Sequence, residues 1–137
     1  MSVPETQRGQ AKLQVLVDAR YLAKYTLQIT ANEKVFKPEY QRSLTDDIVK
    51  TAKDIFTMAW TANNISVGDE IENWHERKRL QEAAARKCND LLALMDLAKP
   101  VFHLSGKRIK YWGKLTIKVR QEIRNWKTGD SKRYEKK

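Results

Sequence analysis

Cysteine occurs once, at Cys88, so no disulfide forms within the chain, and the framework of a small secreted domain is excluded. Three prolines and five glycines leave little punctuation for β-hairpins and favour helices. The two histidines, His75 and His103, have no partner at metal-ligand spacing and no HExxH-like pattern, so no metal site is expected. A glycine-rich phosphate loop is missing, as are zinc-finger cysteines, helix-turn-helix spacing and an aromatic RNA-recognition motif. The longest stretch without charge, Ile55 to Gly68, is interrupted by Thr, Asn and Ser, so neither a membrane span nor, given a polar Met1 to Gln10, a signal peptide is expected. A reducing cytoplasm is the compartment these absences fit.

The scarcest thing in the last quarter is acid. Residues 1–98 carry 14 Lys+Arg against 14 Asp+Glu, whereas residues 99–137 carry 13 against only Glu122, Asp130 and Glu135, so the whole net charge of +10 sits there. Charge confined to one segment makes a directional field that gathers polyanions. Nucleic-acid contact is therefore the first functional expectation.

The chain fits one domain of 137 residues, 41% of them hydrophobic, large enough to fold around one core without metal or disulfide. Four segments show helical periodicity. The first runs from Leu13 to about Thr30 on Leu16, Ala19, Leu22, Ala23, Thr26 and Ile29. A loop with Val35, Phe36, Pro38 and Tyr40 follows, its aromatic residues expected to cap the end of a core. The second helix starts at Ser43 or Thr45 and runs on Leu44, Ile48, Ala52, Ile55, Ala59 and Ala62, stopped by Asn63, Asn64 and Gly68. The third spans about Asp69 to Ala98, on Leu80, Ala84, Lys87, Cys88, Leu91, Met95 and Ala98, and Pro100 is expected to end it.

The fourth begins after Ser105 and runs to about Lys127 on Ile109, Trp112, Leu115, Thr116, Val119, Ile123 and Trp126. Short loops between such helices predict an all-α, antiparallel up-down-up-down four-helix bundle over residues 11–127, with a flexible N-terminus at 1–10 and a charged flexible tail at 128–137.

Opposite the apolar face of helix four lie Lys107, Lys110, Lys114, Lys118, Gln121 and Asn125, widened along one flank by Arg120, Arg124 and Lys127. Arg79 and Arg86 share a flank of helix three and extend this surface if that flank meets helix four or a neighbouring subunit. Lysine on a helix exterior is ordinarily just solvated. Here the missing glutamate leaves self-repulsion that phosphates would neutralise, through backbone rather than base-specific contacts. Trp112 and Trp126 belong to the core face, while Trp60 and Trp74 lie near helix edges where either serves an interface. Ile117 falls within the basic stripe and Tyr111 and Tyr21 are peripheral, a weak signal for a homo-oligomer. Cys88 sits on an apolar face as a small hydrophobe, and Asp69, Glu70, Glu72 and Glu76 suit a helix N-terminus better than a catalytic or metal role. The chain is read as having no catalytic residues and no cofactor.

Three stretches, "YLAKYTLQITANEKVFKPEYQRSLTDDIVKTAKDIFTMAWTANNI" from Tyr21, "RKCNDLLALMDLAKPVFHLSGKRIKYW" from Arg86 and "IRNWKTGDSKRY" from Ile123, carry a family likeness. Their order resembles the four-helix-bundle family of accessory variability determinant (Avd) proteins of diversity-generating retroelements and, more distantly, the intervening-sequence proteins encoded within bacterial ribosomal RNA genes. The long charged helix three and the basic close resemble the Avd branch more. That resemblance implies a non-enzymatic, basic homopentamer in a bacterial or phage-infected cell. Such a pentamer binds the element's reverse transcriptase and its RNA, and DNA by the same phosphate contacts, in support of mutagenic cDNA synthesis and retrohoming. The alternatives are a standalone RNA-associated bundle of the ribosomal-insert type and a protein-only scaffold for an acidic partner.

Overall fold

The computed structural model describes the backbone of residues 5–135 and the side chains from Gln14 onward. Four helices account for most of it: α1 (Glu5–Thr30), α2 (Asp46–Asn63), α3 (Ile71–Phe102) and α4 (Gly106–Tyr134). No strand occurs among the described residues. Each helix packs on its neighbours in sequence, and α1 also packs on α4, so the four surround one core.

The periodic faces read from the sequence are the buried ones. Leu16, Ala19, Leu22, Ala23, Thr26 and Ile29 of α1 and Ile48, Ala52, Ile55, Ala59 and Ala62 of α2 are all inside, as are Leu80, Ala84, Cys88, Leu91, Met95 and Ala98 of α3. From α4 come Trp112, Thr116, Val119 and Ile123. The polar members of this set are satisfied locally: the Trp112 indole donates to Thr26 Oγ1 at 3.0 Å, and Thr26 donates in turn to the Leu22 carbonyl at 2.8 Å. The aromatic loop closes one end, with Phe36 fully buried against Phe102 (ring centroids 4.8 Å apart) and Tyr40 edge-on to Phe102 at 5.8 Å.

Boundaries follow local chemistry. The chain enters α2 through a short 3-10 turn (Pro38–Tyr40) and one wide turn (Gln41–Thr45), and Asp46 and Asp47 occupy the first turn where the helix dipole favours them. Gly68, at φ 53°, takes the left-handed conformation in the loop to α3. Ser105 caps α4 by accepting from the Arg108 amide at 3.1 Å.

Three expectations need correction. Pro100 lies inside the last turn of α3, which continues to Phe102 and closes on His103 in the left-handed region at φ 54°. Proline costs the helix one amide and crowds one carbonyl, and with two residues left to run the loss is small. α4 continues seven residues past Lys127 to Tyr134, so most of the expected tail is helix. The first helix likewise begins at Glu5 rather than Leu13, and the flexibility expected of residues 1–4 and 136–137 lies outside the described residues.

The α4 extension is held by a buried polar clasp. Arg77 Nε donates to Asp130 Oδ2 at 2.8 Å, and Gln81 Nε2 donates to the same oxygen at 2.8 Å. Arg77 Nη1 also reaches the carbonyls of Ala62 (3.3 Å) and Ile65 (3.1 Å), placing a cation at the negative end of α2 and on the turn that follows it. Arg77 and Asp130 are 3% and 2% exposed, so a single ion pair fastens the start of α3, the end of α2 and the end of α4. Trp74 is part of this region and not an interface residue: it is fully buried, tilted against Tyr134 at 5.3 Å, and donates to Glu135 Oε1 at 3.2 Å. Trp126 is half-buried, with the Arg77 guanidinium 5.2 Å from its ring centroid.

Candidate nucleic-acid interface

The buried face of α4 points at the core, so its opposite face is fixed by helical geometry. Lys107, Lys110, Lys114 and Lys118 are all exposed along it, together with Gln121 and Asn125. Lys132, from the turns expected to be disordered, continues the same line.

Whether this face is positive depends on where the acids go, and all three of the last quarter are engaged by other elements. Asp130 is inside the clasp. Glu135 accepts from Lys78 at 2.9 Å and from Trp74, contacts that hold its carboxyl below the usual range. Glu122 turns toward α1 and meets Asp18. Burial, followed by the hydrogen bond to Asp18 and the Asp18 charge, pushes the Glu122 carboxyl up to about 7. Asp18 is held low despite its own burial, because Glu122, Gln14 and Lys118 all favour its charged form. Burial beside the Asp18 charge therefore favours the protonated form of Glu122 up to near-neutral pH. Two ionised groups would leave Glu122 Oε1 and Asp18 Oδ2 buried with no hydrogen-bond donor, apart from the long 3.5 Å approach of the Lys118 ammonium to Asp18.

Among the described residues, Lys107, Lys110, Lys114, Arg86 and Arg124 have no carboxylate within 4.0 Å. Lys118 remains 59% exposed beside Asp18. The flank toward α3 is more occupied. Arg120 donates to the neutral Asn89 side chain at 2.6 Å and keeps its charge unopposed, whereas Lys127 approaches Glu82 at 3.3 Å. Arg79 is committed to Glu76 through two bonds of 2.6 and 2.9 Å, which leaves it the weakest of the proposed contacts. Exposed pairs of this kind are worth about 0–1 kcal/mol, so phosphate competes with them readily.

The conditional extension onto helix three is realised in part. Arg86, Arg124 and Lys127 converge on a shallow cleft of about 190 Å³ between α3 and α4, floored by Ala85 and Ile123. Arg79 is not among its lining residues.

The three apolar positions taken as a weak oligomer signal separate into two groups. Tyr21 and Tyr111 meet across α1 and α4 with their hydroxyls 3.0 Å apart, a bond that raises the Tyr111 phenol above its ordinary value. Ile117, six residues beyond Tyr111, lies about 120° round the helix, at the other edge of the lysine face. It is 48% exposed.

Burial pushes the Cys88 thiol up to about 12, even against the pull of Arg120 and Arg124, so it stays protonated and unreactive. Among the described residues no three of His, Cys, Asp and Glu converge closely enough to hold a metal ion. No helix among them is long and apolar enough to cross a membrane. The Arg77–Gln81–Asp130 clasp and the Tyr21–Tyr111 bond were missed in the sequence. For the clasp a signal existed, because Asp130 follows Trp126 by four residues and Ile123 by seven, in step with the apolar face. No family model, no curated protein and no solved structure matches the chain.

Proposed function

We propose that this chain is a non-enzymatic accessory protein of the Avd type, a basic platform that binds RNA through its phosphates and works beside the reverse transcriptase of a diversity-generating retroelement. It performs no chemistry of its own. The observation that carries the reading is the outer face of α4, where Lys107, Lys110, Lys114, Lys118 and Lys132 stand exposed while all three acids of the segment are engaged elsewhere. Phosphate contacts position a polyanion without reading its sequence, in keeping with a helix that presents cations rather than a base-reading motif.

The subunit is taken as an antiparallel up-down-up-down bundle. Paired positions run in opposite order along two of the seams: between α3 and α4, Arg77 meets Asp130 and Asn89 meets Arg120, and between α1 and α4, Asp18 meets Glu122 and Tyr21 meets Tyr111. Assembled as a homopentamer, a chain of net charge +10 presents about +50, enough to hold long RNA by avidity.

The test is affinity capture of the reverse transcriptase encoded beside this gene, with and without nuclease, combined with light scattering of the purified protein. The expected results are a particle of about 80 kDa, five chains of 16.0 kDa, and a nuclease-sensitive complex with the polymerase. A clean monomer that captures neither polymerase nor RNA contradicts the proposal. Capture indifferent to nuclease, with no RNA binding by the protein alone, assigns it to the protein-only scaffold class.

A further inference from the structure

Tyr21 and Tyr111 are 42% and 44% exposed, although each has its hydroxyl hydrogen-bonded to the other. Behind them stands Tyr25, its ring stacked on Tyr21 (6.4 Å between centroids, 25° between planes) and edge-on to Tyr111 (5.2 Å, 69°). The three rings form a ledge across the α1–α4 seam whose orientation is fixed by mutual contact. A preassembled aromatic surface loses little conformational freedom when something stacks on it. The bundle leaves over two fifths of each outer tyrosine open to solvent.

Cations surround the ledge at single-turn spacing. Lys24 lies one turn along α1 from Tyr21, and Lys107 and Lys114 lie one turn to either side of Tyr111 on α4; all three are exposed. Asp18, the nearest acid on α1, faces Lys118 and Glu122. Flat aromatic faces interleaved with ammonium groups suit a ligand that alternates flat rings with negative charge. An unpaired nucleic-acid strand has that composition, whereas a duplex keeps its base faces inside its own stack and an acidic protein surface does not alternate rings and charges regularly.

We propose that the Tyr21–Tyr25–Tyr111 ledge stacks unpaired RNA bases while Lys24, Lys107 and Lys114 hold the adjoining phosphates, so that the basic face prefers single-stranded to duplex RNA. The inference rests on the RNA-binding reading above and adds the strand form.

The experiment measures fluorescence anisotropy of a labelled 16-nucleotide unstructured RNA and of its 16-base-pair duplex, titrated with the full chain at fixed salt. Wild type is expected to bind the single strand about tenfold tighter than the duplex. Tyr21→Leu/Tyr111→Leu is expected to abolish that preference and leave duplex affinity unchanged. Tyr111→Phe, which keeps the ring and loses the hydroxyl bond, is expected to retain most of it. Equal affinity for both RNA forms in wild type overturns the ledge while leaving phosphate binding intact, as does a preference that survives the double variant. A double variant with altered oligomeric mass and unchanged strand preference assigns the ledge to subunit contact and likewise overturns it. No binding of either RNA overturns the RNA-binding reading itself, and the ledge with it.

Discussion

Asp130→Ala is the substitution with the largest calculable consequence. It removes the only carboxylate bonded to Arg77 among the described residues, where the guanidinium is 3% exposed and its Nη2 already has no partner. Breaking a buried pair from one side costs about 3–5 kcal/mol, since the remaining charge cannot reach water. Gln81 Nε2 loses its acceptor too, adding about 1 kcal/mol. A domain of this size has a total stability of roughly 7–20 kcal/mol, so the variant should fold and show a large fall in urea midpoint with an unchanged slope. Replacing both partners, as Arg77→Met/Asp130→Leu, should cost at least about 2 kcal/mol less than the sum of the singles, because no charge is stranded. Urea unfolding followed by circular dichroism at one protein concentration gives all four corners of the cycle. An Asp130→Ala variant within about 0.5 kcal/mol of wild type would mean that the last turns of α4 are not docked, and the reasoning fails.

Two further predictions concern the same helix. Glu122→Gln should remove a pH dependence: a carboxyl raised from 4.5 to about 7 favours the folded state below pH 4.5, and that contribution is lost as pH rises through 7. A dry site would give ~3 kcal/mol, and partial exposure reduces this to about 1–2 kcal/mol. Wild type should therefore lose that much between pH 5 and 8 relative to the variant, whose side chain does not ionise; parallel pH profiles of urea midpoint would refute the raised carboxyl. Asp18, held low, acts in the opposite sense and only as pH falls through the acid range. Gly129→Ala should raise stability by about 0.5–1 kcal/mol, because Gly129 lies inside α4 with open space where a methyl would go. A thermal melt showing no gain would return residues 128–134 to the unstructured tail expected from sequence.

The core was legible because each helix repeats apolar residues at three- and four-residue steps, and burial follows that period at Leu22, Ile55, Leu91 and Ile123 alike. The basic face was legible for the same reason, being the complement of a buried one. What escaped were positions where a polar residue sits inside. Arg77, Gln81 and Asp130 read as surface by residue type, and each is buried only because a partner 49 or more residues away meets it. Trp74 looked peripheral between Asn73 and His75, and its cover, Tyr134 with Glu135, comes from turns that Thr128 and Gly129 made look like a tail. Glu122 was counted as the lone acid on an exposed helix. Its turn toward Asp18 depends on the rotation of α4 against α1, which no local pattern encodes.

The central claim is that the exposed lysines of α4 grip RNA phosphates, and a salt titration of RNA binding tests it most directly. For wild type, log K should fall steeply and linearly with log salt. Lys110→Gln/Lys114→Gln/Lys118→Gln should leave the fold intact, weaken binding and reduce the slope by about 2, the change for three lost contacts to a single strand. Binding by the triple variant with unchanged affinity and slope would contradict the account.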